Sequence, residues 1–338
     1  MKRWIRRILK SLGVAIVAAV LAGATYEQIG RWQDRKRYPQ IGRSVDIGGR
    51  TLNIYCSGEG APAVVFDSGR GSPGYSWVYV QRETARFTRA CWYDRAGYGW
   101  SDFGPYPRTT LEIAIDLRAL LRGATVPPPY VLVGHSLGGF NVRVYNSMFP
   151  ADVAGAVLVD SAHEDEGNRI PRHRGRSHPA YLRRPFAVLA RFLNSVGVLR
   201  LVRRQPEQEP PPRGISPTEW NTITGLRSQA KMMAATAMEC QGQCGEQARS
   251  AGGLGDRPLI VLTAGRPVDI PSDPSQAREA DEDQQVWIEL QGQLARLSSR
   301  GRQVIVRDSD HGIPFEAPGA VIEAVREVVT QVRAEHAR

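Results

Sequence analysis

The sequence predicts an α/β protein whose mostly parallel sheet is covered by helices on both faces. Apolar runs at residues 63–67, 130–134 and 154–160 have the length and continuous hydrophobicity of strands buried on both sides. Between such runs, residues 111–122 and 137–149 carry apolar side chains at helical spacing. Strands that alternate with helices are joined by crossover connections, which make neighbouring strands parallel.

The chain begins with a basic segment followed by an uncharged run. Five Lys and Arg residues lie in the first ten positions, and residues 11–26 carry no charge. Counted from Ile5, with Lys10 extending its ammonium to the interface, the span reaches about 20 residues, enough to cross a bilayer. Positive charge ahead of a span favours a cytoplasmic start. We predict a membrane anchor with an extracytoplasmic body, while the small residues 22–24 leave cleavage of a signal peptide and secretion open.

The formal net charge of +10 does not indicate a nucleic-acid partner. Lys and Arg are spread along the 338 residues without the interleaved aromatic side chains of a single-strand-binding surface. We expect a basic surface that faces acidic lipid or envelope polymer.

The pattern divides the chain into three parts. Residues 1–42 form the anchor or signal segment and a basic linker, and residues 43–160 and 256–338 form the core. A β-hairpin is predicted at residues 44–56, split by Gly48 and Gly49. The remaining predicted elements of the core are strands at 90–94, 258–263 and 303–307, and helices at 281–298 and 320–334.

The alternation of predicted strands and helices stops between residues 161 and 255. This segment is rich in Arg and Pro and shows no strand pattern. Because it separates two predicted strands of one sheet, we expect it to form a lid over the carboxyl edge of that sheet.

A Gly-x-Ser-x-Gly pattern surrounds Ser136, between a predicted strand and a predicted helix. A serine on so tight a turn has strained backbone angles, and side chains at Gly134 and Gly138 would collide with the helix. A serine hydroxyl is a weak nucleophile, which needs a base and a carboxylate that orients the base. We predict that Ser136 is a nucleophile.

His311 is the predicted general base. It lies in an Asp-Ser-Asp-His-Gly segment, a few residues after a predicted strand, and it follows Ser136 in the chain. Two carboxylates compete for the acid, because Asp160 ends one predicted strand and Asp269 follows the next. We favour Asp160 and leave Asp269 open.

The tetrahedral intermediate of such a reaction needs two backbone N–H donors. We predict the amide of Leu137, directly after the nucleophile, and the amide of Arg70, in the glycine-rich loop after residues 63–67. The same loop has the glycine spacing of a dinucleotide fingerprint, with Asp94 twenty residues later. That alternative falls on the wrong strand and leaves Ser136 unexplained, so we predict no cofactor.

From about residue 46 to its end the chain resembles the α/β-hydrolase superfamily, in particular a membrane-linked bacterial branch with esterase-like and prolyl-aminopeptidase-like members. The segments that carry the resemblance are 66–69, 93–101, 134–139, 157–163 and 310–313. The resemblance implies the α/β-hydrolase fold with an eight-stranded sheet, and a triad of Ser136, His311 and an acid. The chain departs from the family in having Asp67-Ser68-Gly69 where many members have His-Gly. The resemblance therefore does not identify the second oxyanion donor.

The four cysteines fit an extracytoplasmic location. In this fold the strands that carry Cys56 and Cys91 would be neighbours, so these residues are placed to form a disulfide, and Cys240 and Cys244 are close enough for a second one. A zinc site at the latter pair is disfavoured because no histidine lies nearby, and no metal is predicted.

The predicted function is hydrolysis of a carboxylic ester through an acyl-enzyme, on a small-molecule or lipid-like acyl substrate. Two alternatives stay open: amide or peptide hydrolysis on the same triad, and a hydrolase-like protein that binds a ligand without catalysis. Dehalogenase and epoxide-hydrolase chemistry is disfavoured because those reactions use a carboxylate where this chain has Ser136. The substrate, the leaving group and the oligomeric state are not predicted.

Overall fold

An eight-stranded sheet forms the centre of the protein in a computed structural model, which describes residues 2–170, 180–203, 210–240, 242–268 and 273–336. The strand order is β1-β2-β4-β3-β5-β6-β7-β8. The strands are β1 (Arg43–Asp46), β2 (Thr51–Ser57), β3 (Ala63–Asp67), β4 (Ala90–Tyr93), β5 (Tyr130–His135), β6 (Val153–Val159), β7 (Leu259–Ala264) and β8 (Gly301–Val306). β2 is antiparallel to β1 and β4, and the strands from β4 to β8 are parallel. The predicted mostly parallel sheet is confirmed.

Helices cover both faces of the sheet, as continuous apolar strands require. The helices are α1 (Lys2–Arg37), α2 (Val78–Thr84), α3 (Thr110–Gly123), α4 (Leu137–Met148), α5 (Glu166–Arg169), α6 (Ala180–Ser195), α7 (Val198–Val202), α8 (Pro217–Arg227), α9 (Ala230–Met238), α10 (Cys244–Ser250), α11 (Pro274–Ala295), α12 (Ile313–Glu316) and α13 (Pro318–His336). Side chains of β3 alternate between the two cores: Val64 and Phe66 pack with α2 and α13, whereas Val65 packs with α3, α4 and α11.

The described part of the predicted lid, residues 161–255, is helical and lies between β6 and β7 in the chain. α6 packs against α9, and α9 contributes Met232 and Ala235 to a small apolar cluster with Tyr98, in the loop after β4. The segment therefore packs on the loop region beyond the parallel strands.

Helix α1 is longer than the charge pattern predicts. Residues 27–37 were predicted to belong to a linker, but they continue α1 without interruption. Buried Glu27 accepts hydrogen bonds from Arg31 one turn later and from Arg200 of α7, so the polar end of the helix pairs with the body of the protein. Among the helices of the described residues, α1 is the one that is long and apolar enough to cross a membrane.

Both predicted cysteine pairs form disulfides. Cys56 on β2 is bonded to Cys91, its direct partner on β4, and Cys240 is bonded to Cys244 at the start of α10. The first bond joins two strands of the sheet, and the second closes a short loop after α9.

Candidate active site

Ser136 occupies a strained turn between β5 and α4, as predicted. Its φ of 53° and ψ of −120° cost about 1–3 kcal/mol for a residue with a side chain. A Cβ at Gly134 would collide with the carbonyl of Gly138, and one at Gly138 with the carbonyl of Asp67. The backbone amide of Ser136 donates to the carbonyl of Val159 at 3.1 Å, which ties the turn to β6. Gly134 and Gly138 are therefore required because a larger residue at either position would collide with the neighbouring backbone.

His311 and Asp160 are hydrogen-bonded. The distance from His311 Nδ1 to Asp160 Oδ2 is 2.6 Å. Because an ionised carboxylate only accepts, Nδ1 carries the proton and Nε2 is left as an acceptor. The structure thus brings these two predicted residues together, whereas Asp269, the competing acid, lies outside the described residues.

Two further donors hold the buried carboxylate of Asp160. Its Oδ1 accepts the backbone amide of Ala264, at the end of β7, and the indole Nε1–H of Trp287 on α11, each at 2.8 Å. Trp287 was not a sequence candidate, because a tryptophan 127 positions from its partner gives no local signal. These bonds fix the carboxylate so that Oδ2 is directed at His311.

Ser136, Asp160 and His311 line one cavity of about 490 Å³. Among the described residues, no hydrogen bond joins the Ser136 hydroxyl to His311. Catalytic hydrogen bonds are often long before substrate binds. The cavity wall also includes Glu166 of α5 and Arg266, which follows β7.

The pKa of His311 is raised above its ordinary value of 6.5. Burial alone would lower it, but the hydrogen bond and negative charge of Asp160, with the charges of Glu166 and Asp310, outweigh the burial. The imidazolium form is stabilised, which is what a base needs when it accepts a proton during a reaction.

His135 positions the loop that carries His311. The carbonyl oxygen of His311 accepts a hydrogen bond from His135 Nε2 at 2.8 Å, and the two ring centroids are 4.7 Å apart. Burial, followed by the nearby charge of His311, lowers the pKa of His135 to about 3, so the ring stays neutral and donates.

The glycine-rich loop after β3 contacts the serine turn. A Cβ at Gly69 would lie 3.2 Å from the Cβ of Ser136, so the backbone approaches Ser136 closely at this position. The side chain of Arg70 turns toward α9 and donates to the carbonyl of Thr236 at 2.9 Å. Leu137 begins α4, and its amide has no acceptor within the helix. The use of the Arg70 and Leu137 amides as oxyanion donors stays a prediction.

A buried arginine fixes the same loop. Arg95 donates from Nη1 to Asp67 Oδ1 at 2.7 Å and from Nη2 to the carbonyl of Gly69 at 3.0 Å. Its Nε donates to Glu239 Oε1 at 2.7 Å. All three charged side chains are buried, so removing one partner would leave a charge uncompensated. Asp67 therefore helps, through Arg95, to tie the loop to the segment after α9.

Asp94 has a structural role, which excludes it as the ribose-binding carboxylate of a dinucleotide site. Its buried carboxylate accepts the amides of Gly74 at 2.7 Å and Trp100 at 3.1 Å. A ribose has no access to these oxygens.

No group of three or more His, Cys, Asp or Glu side chains placed to hold a metal occurs within the described ranges.

The strand order, the serine on the turn after β5 and the Asp160–His311 pair are the arrangement of an α/β hydrolase. A sequence profile of the alpha/beta hydrolase family matches residues 64–324. The chain belongs to this family.

Individual relatives are more distant. A thermophilic esterase from Thermogutta terrifontis has a TM-score of 0.60 and 18% identity, covering 87% of this chain and 99% of the esterase. A membrane phospholipase A described as a bacterial virulence factor has a TM-score of 0.54 and 18% identity, covering 98% and 99% of the two chains. At this identity both show the fold alone. The probable transporter efuK of Hormonema carpetanum is 36% identical over 135 residues, which are 38% of this chain and 19% of the transporter. The first curated relatives are thus matched over less than a fifth of their own length.

Proposed function

We propose that this hydrolase is a serine esterase that works through an acyl-enzyme. The observation that carries the proposal is the Asp160–His311 hydrogen bond in the cavity that Ser136 also lines. A nucleophile, a base and a carboxylate that fixes the tautomer of the base are the three groups that acyl transfer requires.

In the first half-reaction, Ser136 Oγ bonds to the acyl carbon while His311 Nε2 takes the hydroxyl proton. The amides of Leu137 and Arg70 would stabilise the oxyanion. The intermediate then collapses, the ester C–O bond breaks, and His311 passes its proton to the leaving alcohol. In the second half-reaction His311 Nε2 takes a proton from water as the water oxygen bonds to the acyl carbon. The bond between the acyl carbon and Ser136 Oγ then breaks, the carboxylic acid leaves, and His311 returns the proton to Ser136 Oγ.

A lipid-like ester is the substrate class that the surroundings of the site favour. Val268, Ala280 and Trp287 give the cavity an apolar wall, beside the charged Glu166 and Arg266. The names of the similar esterase and phospholipase agree with an ester substrate. We propose that residues 161–255 act as the lid that bounds this cavity.

We further propose that α1 anchors the protein in a membrane with its body on the extracytoplasmic side. Its positive first turns favour a cytoplasmic start, and the two disulfides are compatible with an oxidising compartment. Helix α1 would then place the site near a source of lipid esters.

A fluorophosphonate probe tests the nucleophile directly. We expect the full-length chain to be labelled at Ser136, as located by peptide mass spectrometry, because the probe traps a serine that an adjacent base activates. Ser136→Ala should abolish labelling. If the folded native chain stayed unlabelled, the alternative of a ligand-binding protein without catalysis would be favoured.

The pH dependence of ester hydrolysis should report His311. A general base works in its neutral form, so kcat/KM is expected to fall as the pH drops through the His311 pKa, with a midpoint above 6.5 because that pKa is raised. The free energy of unfolding is expected to change with pH in the opposite direction, because the raised pKa favours protonated His311 in the folded state. This stabilising contribution of His311 is full below pH 6.5 and is lost as the pH rises through the folded pKa. A pH–rate profile alongside unfolding at each pH measures both, and an activity without an acid limb would contradict the role of His311.

A further inference from the structure

The outward face of helix α6 is apolar. Its buried side, which includes Ala187 and Ala190, packs toward the protein, and α6 contacts α9. The opposite side should be polar if it faced water. Instead, apolar residues recur there at a spacing of three or four and are exposed: Leu182, Pro185, Val188, Leu189 and Phe192.

Helix α7, which follows α6 and contacts it, also exposes apolar side chains. Leu201 and Val202 are 71% and 62% exposed, and Leu189 and Phe192 of α6 are 51% and 49% exposed. Contiguous exposed apolar side chains on a protein surface mark a contact with another apolar body. The surface formed by the exposed apolar side chains of α6 and α7 is called the α6–α7 face.

The α6–α7 face lies beside the end of the candidate membrane span. A Cβ at Gly23, near the end of the uncharged run of α1, would collide with the carbonyl of Val196 in the turn between α6 and α7. Further along α1, Glu27 and Asp34 each accept a hydrogen bond from Arg200 of α7 at 2.8 Å. These contacts, of which the Arg200–Glu27 pair is buried, hold α7 and the turn before it beside the part of α1 that would leave the bilayer.

The exposed side chains of α1 and α6 include the aromatic and basic types that are found at membrane interfaces. Tyr26 and Trp32 of α1 are exposed, as are Arg184 and Arg191 of α6. Aromatic rings are enriched at the headgroup level, and basic side chains near it are attracted to anionic lipid. A helix with one apolar side and flanking arginines is typical of helices that lie in the interface plane.

We infer that α6 and α7 form a second membrane contact, in which the α6–α7 face enters the headgroup boundary of a bilayer that contains anionic phospholipid. This inference rests on the proposed anchoring by α1. Two contacts, one spanning and one lying in the plane, would fix the orientation of the body relative to the bilayer, which a single helix would leave free to rotate. The lid segment would then be held against the lipid.

Site-directed nitroxide labelling of the full chain tests the contact. The four native cysteines are paired in disulfides, so a thiol introduced by Leu189→Cys is the one that reacts with the label. Matched single variants are Val17→Cys in the span and Ile305→Cys on β8, the strand at the far edge of the sheet from β1. Each labelled chain is reconstituted in vesicles of mixed phosphatidylcholine and phosphatidylglycerol, and collisions with oxygen and with a water-soluble nickel complex are measured.

We expect the ratio of oxygen to nickel collisions to be severalfold higher at Leu189 than at Ile305, and highest at Val17. Removing phosphatidylglycerol should lower the ratio at Leu189 and leave Val17 unchanged. A label at Val17 that contacts water would overturn the anchor itself. If the label at Val17 contacts lipid while the label at Leu189 contacts water, the second contact alone is overturned. Strong dipolar broadening between the Leu189 labels of two chains would also overturn it, because a second copy of the chain would then cover the face.

Discussion

Ser136→Ala is expected to lower kcat for hydrolysis of p-nitrophenyl esters by about 10⁶-fold, the loss typical when the nucleophile of a serine triad is removed. The variant keeps the Asp160–His311 bond and the proposed oxyanion donors, so a small rate above that of water should remain. Full-length protein assayed with esters of increasing chain length measures the loss and ranks the acyl groups.

The folded state of this variant should be nearly unchanged. Alanine keeps the Cβ and therefore the strained φ of 53°, and the Ser136 hydroxyl has no hydrogen bond to lose among the described residues. Ser299→Ala is the matched control, because Ser299 is exposed and lies before β8, at the opposite end of the strands from the site. Near-native activity in Ser136→Ala with unchanged thermal unfolding would place the nucleophile elsewhere.

The parts of the fold that could be predicted from the sequence are those with a local pattern. β3 and β5 are continuous apolar runs, and the glycines around Ser136 follow from the space that one turn leaves. The sheet and the serine turn were therefore predictable. The helical continuation of α1 was not, because Glu27 and Asp34 look like linker residues until Arg200, far along the chain, pairs with them.

The candidate site also has parts that could be predicted from the sequence and parts that could not. The sequence favoured Asp160 over Asp269 but left both open, since Asp160 ends one predicted strand and Asp269 follows the next. The structure joins His311 to Asp160 through a contact that spans 151 positions. The Arg95–Glu239 ion pair spans 144 positions and involves a segment with no sheet pattern. Such pairings depend on the packing of the insert, for which neither periodicity nor spacing gives a signal.

Asp160→Asn is expected to lower kcat by about 10⁴-fold, because it imposes the wrong tautomer on His311. Asparagine tolerates the φ of 41° at this position. Its carbonyl oxygen can keep the bonds from Ala264 and Trp287, which leaves the amide nitrogen facing His311 Nδ1. Nδ1 must then accept, so the proton moves to Nε2, where it blocks proton transfer from Ser136.

The pH profile separates this effect from simple misfolding. Loss of the Asp160 charge and hydrogen bond removes the main cause that raises the His311 pKa, so the acid limb of the residual activity should move to lower pH. Asp308→Asn, an exposed carboxylate three positions before His311, serves as the control that changes the charge without touching the imidazole. If Asp160→Asn kept full activity and an unshifted acid limb, another carboxylate would have to orient His311, and Asp269 would become the first candidate. A large loss of kcat with a shifted limb and an intact unfolding transition would instead show that the carboxylate of Asp160 sets the tautomer of His311.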